Sequence, residues 1–384
     1  MSRRIYLAPS GHNYSVARGF ASSNRGLVDV HNGGAEALTQ RSGLSLGPRF
    51  DGWLDEPLRL RLLMSYFYYR TFDMDELLAR HFVEPYPEIF ADSGAFSADS
   101  QGKHITIREY ADWVHRWKHL FSGYANLDVI GDQDATMENQ HRLEDLGLTP
   151  LPTITLGYEG SDYDLLDEIA DSYGYLALGG LVPHMRYTKK IMRHLIRCFK
   201  VVQGRAKIHG FGVTSWIAIK ALPWYSVDST TWVNGFKFGK VSVFDPRNGK
   251  WYVMHFKDRA IWRRYASLIR WYGYDPADFA GVKVPDRRLL GGLAVLSYMV
   301  AERWLAYWRQ GTPPTKIHTV VGWDSENEGK RKSSNASLQN VGNSLKLFLA
   351  DMGQDQGSVA SEMSRLTGQV EVCGDIPFRG TANI

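Results

Sequence analysis

Cysteine is scarce in this sequence: Cys198 and Cys373 are the only two, and neither belongs to a Cys-x-x-Cys pair. A thiolate zinc motif is therefore absent, and we expect no disulfide framework, which fits a reducing compartment. The most apolar stretch, residues 289–300, is too short to predict a membrane span and runs into charged residues. Because no long apolar region follows the first basic residues, we expect no signal peptide and a cytoplasmic location.

A strong charge imbalance and the usual nucleotide-binding loops are also missing. The sequence has 45 basic and 41 acidic residues, and its net charge of +4 is too small to identify a nucleic-acid partner. There is no Walker loop, and Gly210-Phe211-Gly212 lacks the third glycine of a dinucleotide fingerprint. We expect no cofactor and no catalytic metal.

Short apolar runs alternate with amphipathic ones from about residue 58 onward, which is typical of parallel strands joined by helices. Eight strand-like runs predict an α/β fold of the (βα)8 TIM-like barrel type, with a doubly wound open sheet as the alternative. We expect an irregular N-terminal segment at residues 1–57, a barrel core at 58–257 and a helical C-terminal extension at 258–384. The predicted strands are residues 60–67, 88–92, 125–130, 151–156, 175–178, 207–211, 224–227 and 240–244.

Two acidic motifs follow apolar runs that are far apart in the sequence. Asp92 begins the motif Asp-Ser-Gly-Ala-Phe, and Asp228 lies in Ser-Val-Asp-Ser at residues 226–229. A carboxylate at the end of a buried strand is costly unless it is paired or lines a site. In a (βα)8 barrel the strand ends surround the active site, so the two carboxylates are expected to face one ligand. They could supply a nucleophile and a general acid/base.

Further acids and glycines follow other predicted strands. Asp128, Asp132 and Asp134 are close enough in sequence to hold Mg²⁺, but a solvated loop is the favoured interpretation. Glycines at strand ends let backbone groups approach a flat ligand, although each could equally serve a tight turn. The glycines in question are Gly179, Gly180, Gly210 and Gly212.

Four of these motifs together resemble those of tRNA-guanine transglycosylases. Residues 92–96 resemble the family motif Asp-Ser-Gly-Gly-Phe, and residues 178–181 resemble its Gly-Gly-Leu loop. Residues 207–212 resemble its His-Gly-x-Gly strand, and residues 225–229 resemble the surroundings of its nucleophilic aspartate. The motifs occur in the family order and extend over roughly residues 58–245.

Two departures from the family pattern bear on the substrate. Ala95 stands where the family has its second glycine, and the cysteine-rich zinc site that helps to hold tRNA is absent. The chain therefore looks more like the zinc-free DNA 7-deazaguanine transglycosylases of bacteria and phages. This branch implies DNA as the partner, with tRNA as the alternative, and a location in the cytoplasm of a bacterium or a phage-infected host.

The resemblance also implies a role for each matching residue. Asp228 would attack C1′ of a target deoxyguanosine, and Asp92 would act as acid/base while guanine leaves and a 7-deazaguanine such as preQ0 or preQ1 enters. Asp128 or Asp132 would hydrogen-bond the base edge. The implied base pocket is lined by Ser93, Gly94, Phe96, Gly179, Gly180, Leu181, His209, Gly210 and Gly212.

Base exchange requires a base that is flipped out or single-stranded, and a basic surface for the phosphates. Phe96, Tyr158 and Trp232 are candidates for stacking on the base, with core packing as the default role of each. A basic stripe recurs at helical spacing and is either a phosphate contact or a solvated helix face. It consists of Arg186, Lys190, Arg193, Arg197 and Lys200.

Three rival interpretations stay open at the level of the sequence. The same chemistry could act on tRNA. The chain could be an inactive nucleic-acid-binding barrel, although it keeps both Asp92 and Asp228. It could also be an unrelated two-carboxylate enzyme such as a glycoside hydrolase.

Overall fold

A computed structural model of the protein describes residues 3–9, 17–34, 46–155, 163–181, 188–233, 238–281, 283 and 285–308. Strands and helices alternate over most of this range. The strands are β1 (Arg4–Leu7), β2 (Arg61–Ser65), β3 (Glu88–Asp92), β4 (Phe121–Tyr124), β5 (Thr153–Ile154), β6 (Tyr175–Leu178), β7 (Lys207–Gly210), β8 (Ser226–Ser229), β9 (Lys240–Asp245) and β10 (Lys250–His255). The helices are α1 (Ala17–Asp29), α2 (Tyr66–Tyr69), α3 (Met74–His81), α4 (Ala95–Asp99), α5 (Ile107–Trp117), α6 (Gln133–Asp145), α7 (Tyr163–Ser172), α8 (Thr188–Val202), α9 (Trp216–Ala221), α10 (Arg259–Arg264), α11 (Ala266–Trp271) and α12 (Arg287–Trp308).

The first eight strands form one curled parallel sheet in the order β4-β3-β2-β1-β8-β7-β6-β5. The two ends of this order are linked by a parallel bridge between Ala125 and Leu151. Leu151 N–H donates to Tyr124 O at 2.8 Å, and Asn126 N–H donates to Leu151 O at 3.0 Å. The alternation of strands and helices and the curl of the sheet give a TIM-like α/β fold.

Side chains alternate between the two faces of the sheet, as the pleat of a strand requires. The concave face carries a small apolar cluster of Tyr6, Leu63, Phe90, Ala125 and Leu151. The intervening residues of the strands face outward into the main core beneath the helices. Because Phe90 and Asp92 are two residues apart, the inward face of β3 continues from an apolar ring to a carboxylate.

The sheet differs from the sequence prediction in which segments form its first and its last strand. Arg4–Leu7 was assigned to the irregular segment 1–57, yet β1 pairs with β2 on one side and β8 on the other. The run 240–244 was counted as a barrel strand, yet β9 pairs only with β10, in an antiparallel hairpin. The number of strands was right, but the sheet begins at residue 4 rather than at 58.

Strand β4 also lies earlier than predicted. The expected strand 125–130 includes the apolar residues Leu127, Val129 and Ile130, of which Leu127 is buried whereas Val129 and Ile130 are exposed. The paired segment is instead Phe121–Tyr124, in which Ser122 is exposed and the other three residues are partly buried. Asp128 therefore lies in the loop after β4 rather than within a strand.

The C-terminal helix α12 packs against α1 and the hairpin. Gly26 of α1 and Gly292 of α12 lie so close that a Cβ on Gly26 would be 2.4 Å from Gly292 N. Glu302 accepts a hydrogen bond from Ile5 N–H at 2.6 Å and pairs with Arg61, which joins α12 to β1 and β2. By length and composition α12 could cross a membrane, but 72% of its apolar window is buried in the fold, as in a core helix. For the C-terminal extension the sequence also predicts an exposed loop at Lys330-Arg331-Lys332 and a further helix at 338–352, and both lie outside the described residues.

Candidate active site

Three carboxylates converge at the carboxyl ends of the strands. Asp92 is the last residue of β3, Asp228 lies in β8, and Asp128 follows β4. The pKa of Asp92 is raised to about 7, first by burial and then by the negative charges of Asp128 and Asp228. Like charges sharing a desolvated site disfavour simultaneous ionisation. Asp92 is therefore a carboxyl that can hold or release a proton near neutral pH.

The turn after β3 fixes the carboxyl of Asp92. Gly94 N–H donates to Asp92 Oδ2 at 3.0 Å. Gly94 has φ +76°, and a Cβ there would be 2.2 Å from Ser65 Oγ and 2.5 Å from Phe67 Cβ. Only glycine fits this left-handed, crowded position, so the Asp-Ser-Gly sequence is explained by the geometry of the turn. Ala95, the departure from the family motif, is the first residue of α4 and is buried.

Asp128 and Asp132 have different surroundings, although both were candidates to read a base. Ser93 Oγ donates to Asp128 Oδ1 at 3.2 Å, and burial raises the pKa of Asp128. Asp132 is exposed and caps α6, where its Oδ1 accepts from Ala135 N–H at 2.9 Å. The structure thus brings Asp128, and not Asp132, into the electrostatic environment of Asp92.

Asp228 is contacted at one carboxylate oxygen by groups of β7 and of the loop after it. Gly212 N–H donates to Asp228 Oδ1 at 2.8 Å, and His209 Nε2 lies 3.5 Å from the same oxygen. Asp228 is 6% exposed, and no residue that the structure describes is hydrogen-bonded to its Oδ2. The arrangement leaves one carboxylate oxygen anchored and the other available for a ligand.

His209 is fully buried, and its imidazole is held by a hydrogen bond and by two aromatic rings. Its Nδ1 lies 2.6 Å from Ser226 Oγ, which in turn lies 2.5 Å from the hydroxyl of Tyr175. Phe90 stacks on the imidazole at 4.9 Å with an interplanar angle of 7°, and Phe211 packs edge-on at 4.5 Å. Neither Ser226 nor Tyr175 was predicted as a site residue from the sequence. Two-residue alternation in β8, which puts Ser226 on the face of Asp228, was the available signal.

The glycines expected to line the pocket fall into two groups. A Cβ on Gly180, which has φ +67°, would be 2.5 Å from Thr155 Cγ2, and a Cβ on Gly179 would be 3.1 Å from Thr155 Oγ1. Both follow β6 directly, and the next residue, Leu181, is buried. Gly210 instead accommodates the ring of Trp224, which would lie 2.6 Å from an added Cβ. Gly210 is therefore explained by packing alone.

The stacking candidates differ in exposure. Phe96 follows the Asp92 turn in α4 and is 55% exposed, which is unusual for so large an apolar side chain. Trp232 is buried, and its Nε1–H donates to Ala8 O at 2.8 Å, so its indole belongs to the core. Tyr158 lies outside the described residues.

The basic stripe lies on the outer side of α8. Arg193 and Arg197 are exposed and Lys200 is partly exposed, whereas the opposite face of the helix is buried. The guanidinium of Arg197 lies 3.8 Å from the ring centroid of Tyr163. Lys190 belongs to α8, but its side chain, like the whole of Arg186, lies outside the described residues.

The chain matches no protein-family model and no curated protein. In the described part of the chain, no three or more His, Cys, Asp or Glu side chains are grouped so as to hold a metal ion. The site is thus characterised by its own geometry: a proton-holding carboxyl, a second carboxyl anchored at one oxygen, and a third that adds negative charge.

Proposed function

We propose that the protein exchanges a guanine base in DNA for a 7-deazaguanine through a covalent aspartyl-sugar intermediate. The observation that carries the proposal is the pairing of Asp92, whose pKa is raised to about 7, with Asp228, anchored at Oδ1. Chemistry at a glycosidic carbon uses such a pair, with one carboxylate as nucleophile and the other carboxyl as acid and base. The motifs around both residues support the guanine transglycosylase chemistry in particular.

The reaction proceeds in two displacements. Asp228 attacks C1′ of the target nucleoside as the bond from C1′ to the guanine nitrogen breaks, and Asp92 gives its proton to the departing base. The incoming 7-deazaguanine then gives a proton to Asp92 and attacks C1′, which releases Asp228. The two inversions retain the configuration at C1′ and return both carboxyl groups to their starting states. Burial, with the negative charges of Asp128 and Asp228, raises the pKa of Asp92 and so favours the protonated carboxyl that the first step needs.

The nucleic acid would approach along the carboxyl ends of a (βα)8 barrel. A base in a duplex must be extruded to reach the carboxylates, and an exposed aromatic side chain can stabilise such a nucleotide by stacking. Phe96 is placed for this role, and the stripe on α8 offers positive charge to the phosphates. The absence of a cysteine-rich zinc site favours DNA over tRNA.

The test is incorporation of labelled guanine or preQ0 into duplex DNA, with tRNA assayed in parallel. The Asp228→Asn variant keeps an acceptor for Gly212 N–H and should lose incorporation and covalent trapping completely. Asp134→Asn, which changes an exposed carboxylate at the start of α6, is the matched control and should behave as wild type.

Each outcome of this assay has a defined meaning. Label in DNA alone supports the proposal, and label in tRNA alone keeps the chemistry but transfers it to the alternative substrate. Binding of DNA without label in either acid would support the inactive, nucleic-acid-binding alternative. Undiminished incorporation by Asp228→Asn would remove Asp228 as the nucleophile.

A further inference from the structure

A hydrogen-bonded chain runs inside the curled sheet from Tyr175 to Asp228. Tyr175 OH lies 2.5 Å from Ser226 Oγ, Ser226 Oγ lies 2.6 Å from His209 Nδ1, and His209 Nε2 lies 3.5 Å from Asp228 Oδ1. None of these groups except Asp228 takes a chemical part in the proposed reaction. The direction of hydrogen-bond donation from Tyr175 through Ser226 to His209 decides whether His209 Nε2 faces Asp228 with a proton or with a lone pair.

The direction follows from the donors and acceptors that are present. Burial raises the pKa of Tyr175 well above its ordinary value, so the phenol keeps its proton. Either hydroxyl could donate in the contact between Tyr175 and Ser226. Since Ser226 Oγ is the one acceptor that the described residues offer this phenol, we assign the donated proton to Tyr175. The single proton of the Ser226 hydroxyl is then left for His209 Nδ1, which accepts it. A neutral imidazole that accepts at Nδ1 carries its own proton on Nε2.

Hydrogen-bond donation in the opposite direction, from His209 to Ser226, is disfavoured because of what it would place against Asp228. It would put the proton of His209 on Nδ1 and leave the lone pair of Nε2 facing Asp228 Oδ1 at 3.5 Å. Among the described residues Nε2 has no hydrogen-bond partner, and His209 is 0% exposed, so that lone pair would be buried against a carboxylate. With the proton on Nε2, the same contact becomes a weak donor-to-acceptor attraction.

We propose that Ser226, which accepts from Tyr175, holds His209 as the Nε2–H tautomer, and that His209 and Gly212 together fix Oδ1 of Asp228 so that Oδ2 is the attacking oxygen. His209 and Ser226 are positioning residues, because they act through Asp228 and not on the substrate. The stacked ring of Phe90 prevents His209 from rotating away. The inference rests on the proposed function for its kinetic consequence, but not for the tautomer.

The tautomer is tested directly by NMR on the full chain labelled with ¹⁵N at histidine. Correlations between ring nitrogens and ring protons distinguish the two tautomers, and the spectrum of His209→Gln identifies the signal. We expect a proton on Nε2 in the wild type and in Tyr175→Phe, because Ser226 can still donate to Nδ1 without the phenol. We expect a mixture of tautomers in Ser226→Ala. A wild-type His209 protonated at Nδ1, or an unchanged tautomer in Ser226→Ala, would overturn the proposal.

The kinetic test separates positioning from binding. In Ser226→Ala the rate constant for forming the covalent adduct should fall by about 10-fold to 100-fold, because the attacking carboxylate is less well aligned. The nucleic-acid concentration that gives half saturation should not change, and Tyr175→Phe should lose less activity. An unchanged adduct rate in Ser226→Ala would also overturn the proposal. Absence of adduct in every variant, wild type included, would instead count against the proposed function, while the NMR result decides the tautomer alone.

Discussion

Replacing Asp92 by asparagine should make the protein more stable at high pH. The carboxyl of Asp92 keeps its proton in the folded protein up to a pKa of about 7, whereas its ordinary value is 3.8. Between these values the unfolded chain releases this proton and the folded protein does not, so the free energy of unfolding falls as pH rises. Above the folded pKa the loss is complete. Asparagine has the same shape, can accept from Gly94 N–H and does not titrate.

The size of the effect follows from the separation of the two pKa values. Each pH unit of separation corresponds to about 1.4 kcal/mol. The interval from 3.8 to about 7 therefore corresponds to about 4 kcal/mol of stability that the wild type loses and Asp92→Asn does not.

The assay is urea unfolding of both proteins followed by tryptophan fluorescence at about pH 4 and about pH 8. The stability difference between variant and wild type should grow in favour of the variant by about 4 kcal/mol over this interval. Acids that do not interact with Asp92 titrate equally in both proteins and cancel in the difference. A difference that stays constant with pH would refute the raised pKa of Asp92, and with it the proton-holding role.

Three other substitutions test the site. Gly94→Ala should destabilise the protein by about 2–4 kcal/mol in the same urea titration, because it adds a clash with Ser65 to the left-handed strain. Its control is Gly147→Ala, at φ +77° with no atom within 4 Å of the added Cβ. This variant should lose only about 1–2 kcal/mol of stability. Phe96→Ala should weaken binding of single-stranded DNA by about 1–3 kcal/mol in a fluorescence titration, with little change in stability. The control Phe238→Ala removes another exposed Phe, and equal weakening by it would contradict a stacking role for Phe96. Arg197→Gln should weaken DNA binding and flatten its salt dependence; an unchanged slope would assign the stripe to solvent.

Much of the fold could be predicted from the sequence where local pattern and burial agree. Strands β3 and β6 have the predicted bounds because each is a short apolar run between turn residues. Strand β1 was placed in the irregular segment 1–57 and not in the sheet, because pairing with β8 depends on contacts remote in sequence. Strand β4 was displaced because Val129 and Ile130 are apolar and yet exposed.

The candidate site was predictable only in part. Asp92 and Asp228 follow from the pattern of a buried run ending in an acid, and the structure brings them into one electrostatic environment. The choice between Asp128 and Asp132 could not be made from sequence, since it depends on which side chain caps α6. The chemical roles of all three stay predictions.

The position of β1 has a consequence for how the protein is made. Strand β1 leaves the ribosome before the other strands that the structure describes, and one of its edges pairs with β2, which follows soon after. Its other edge pairs with β8, and Ala8 accepts a hydrogen bond from Trp232, which is 224 residues away. The sheet cannot be completed until β8 has been synthesised, so one edge of β1 stays unpaired while the intervening chain is made. An N-terminal truncation that removes Arg4–Leu7 would take out a central strand, and a chain halted before residue 226 would leave β1 as an open edge available to other chains.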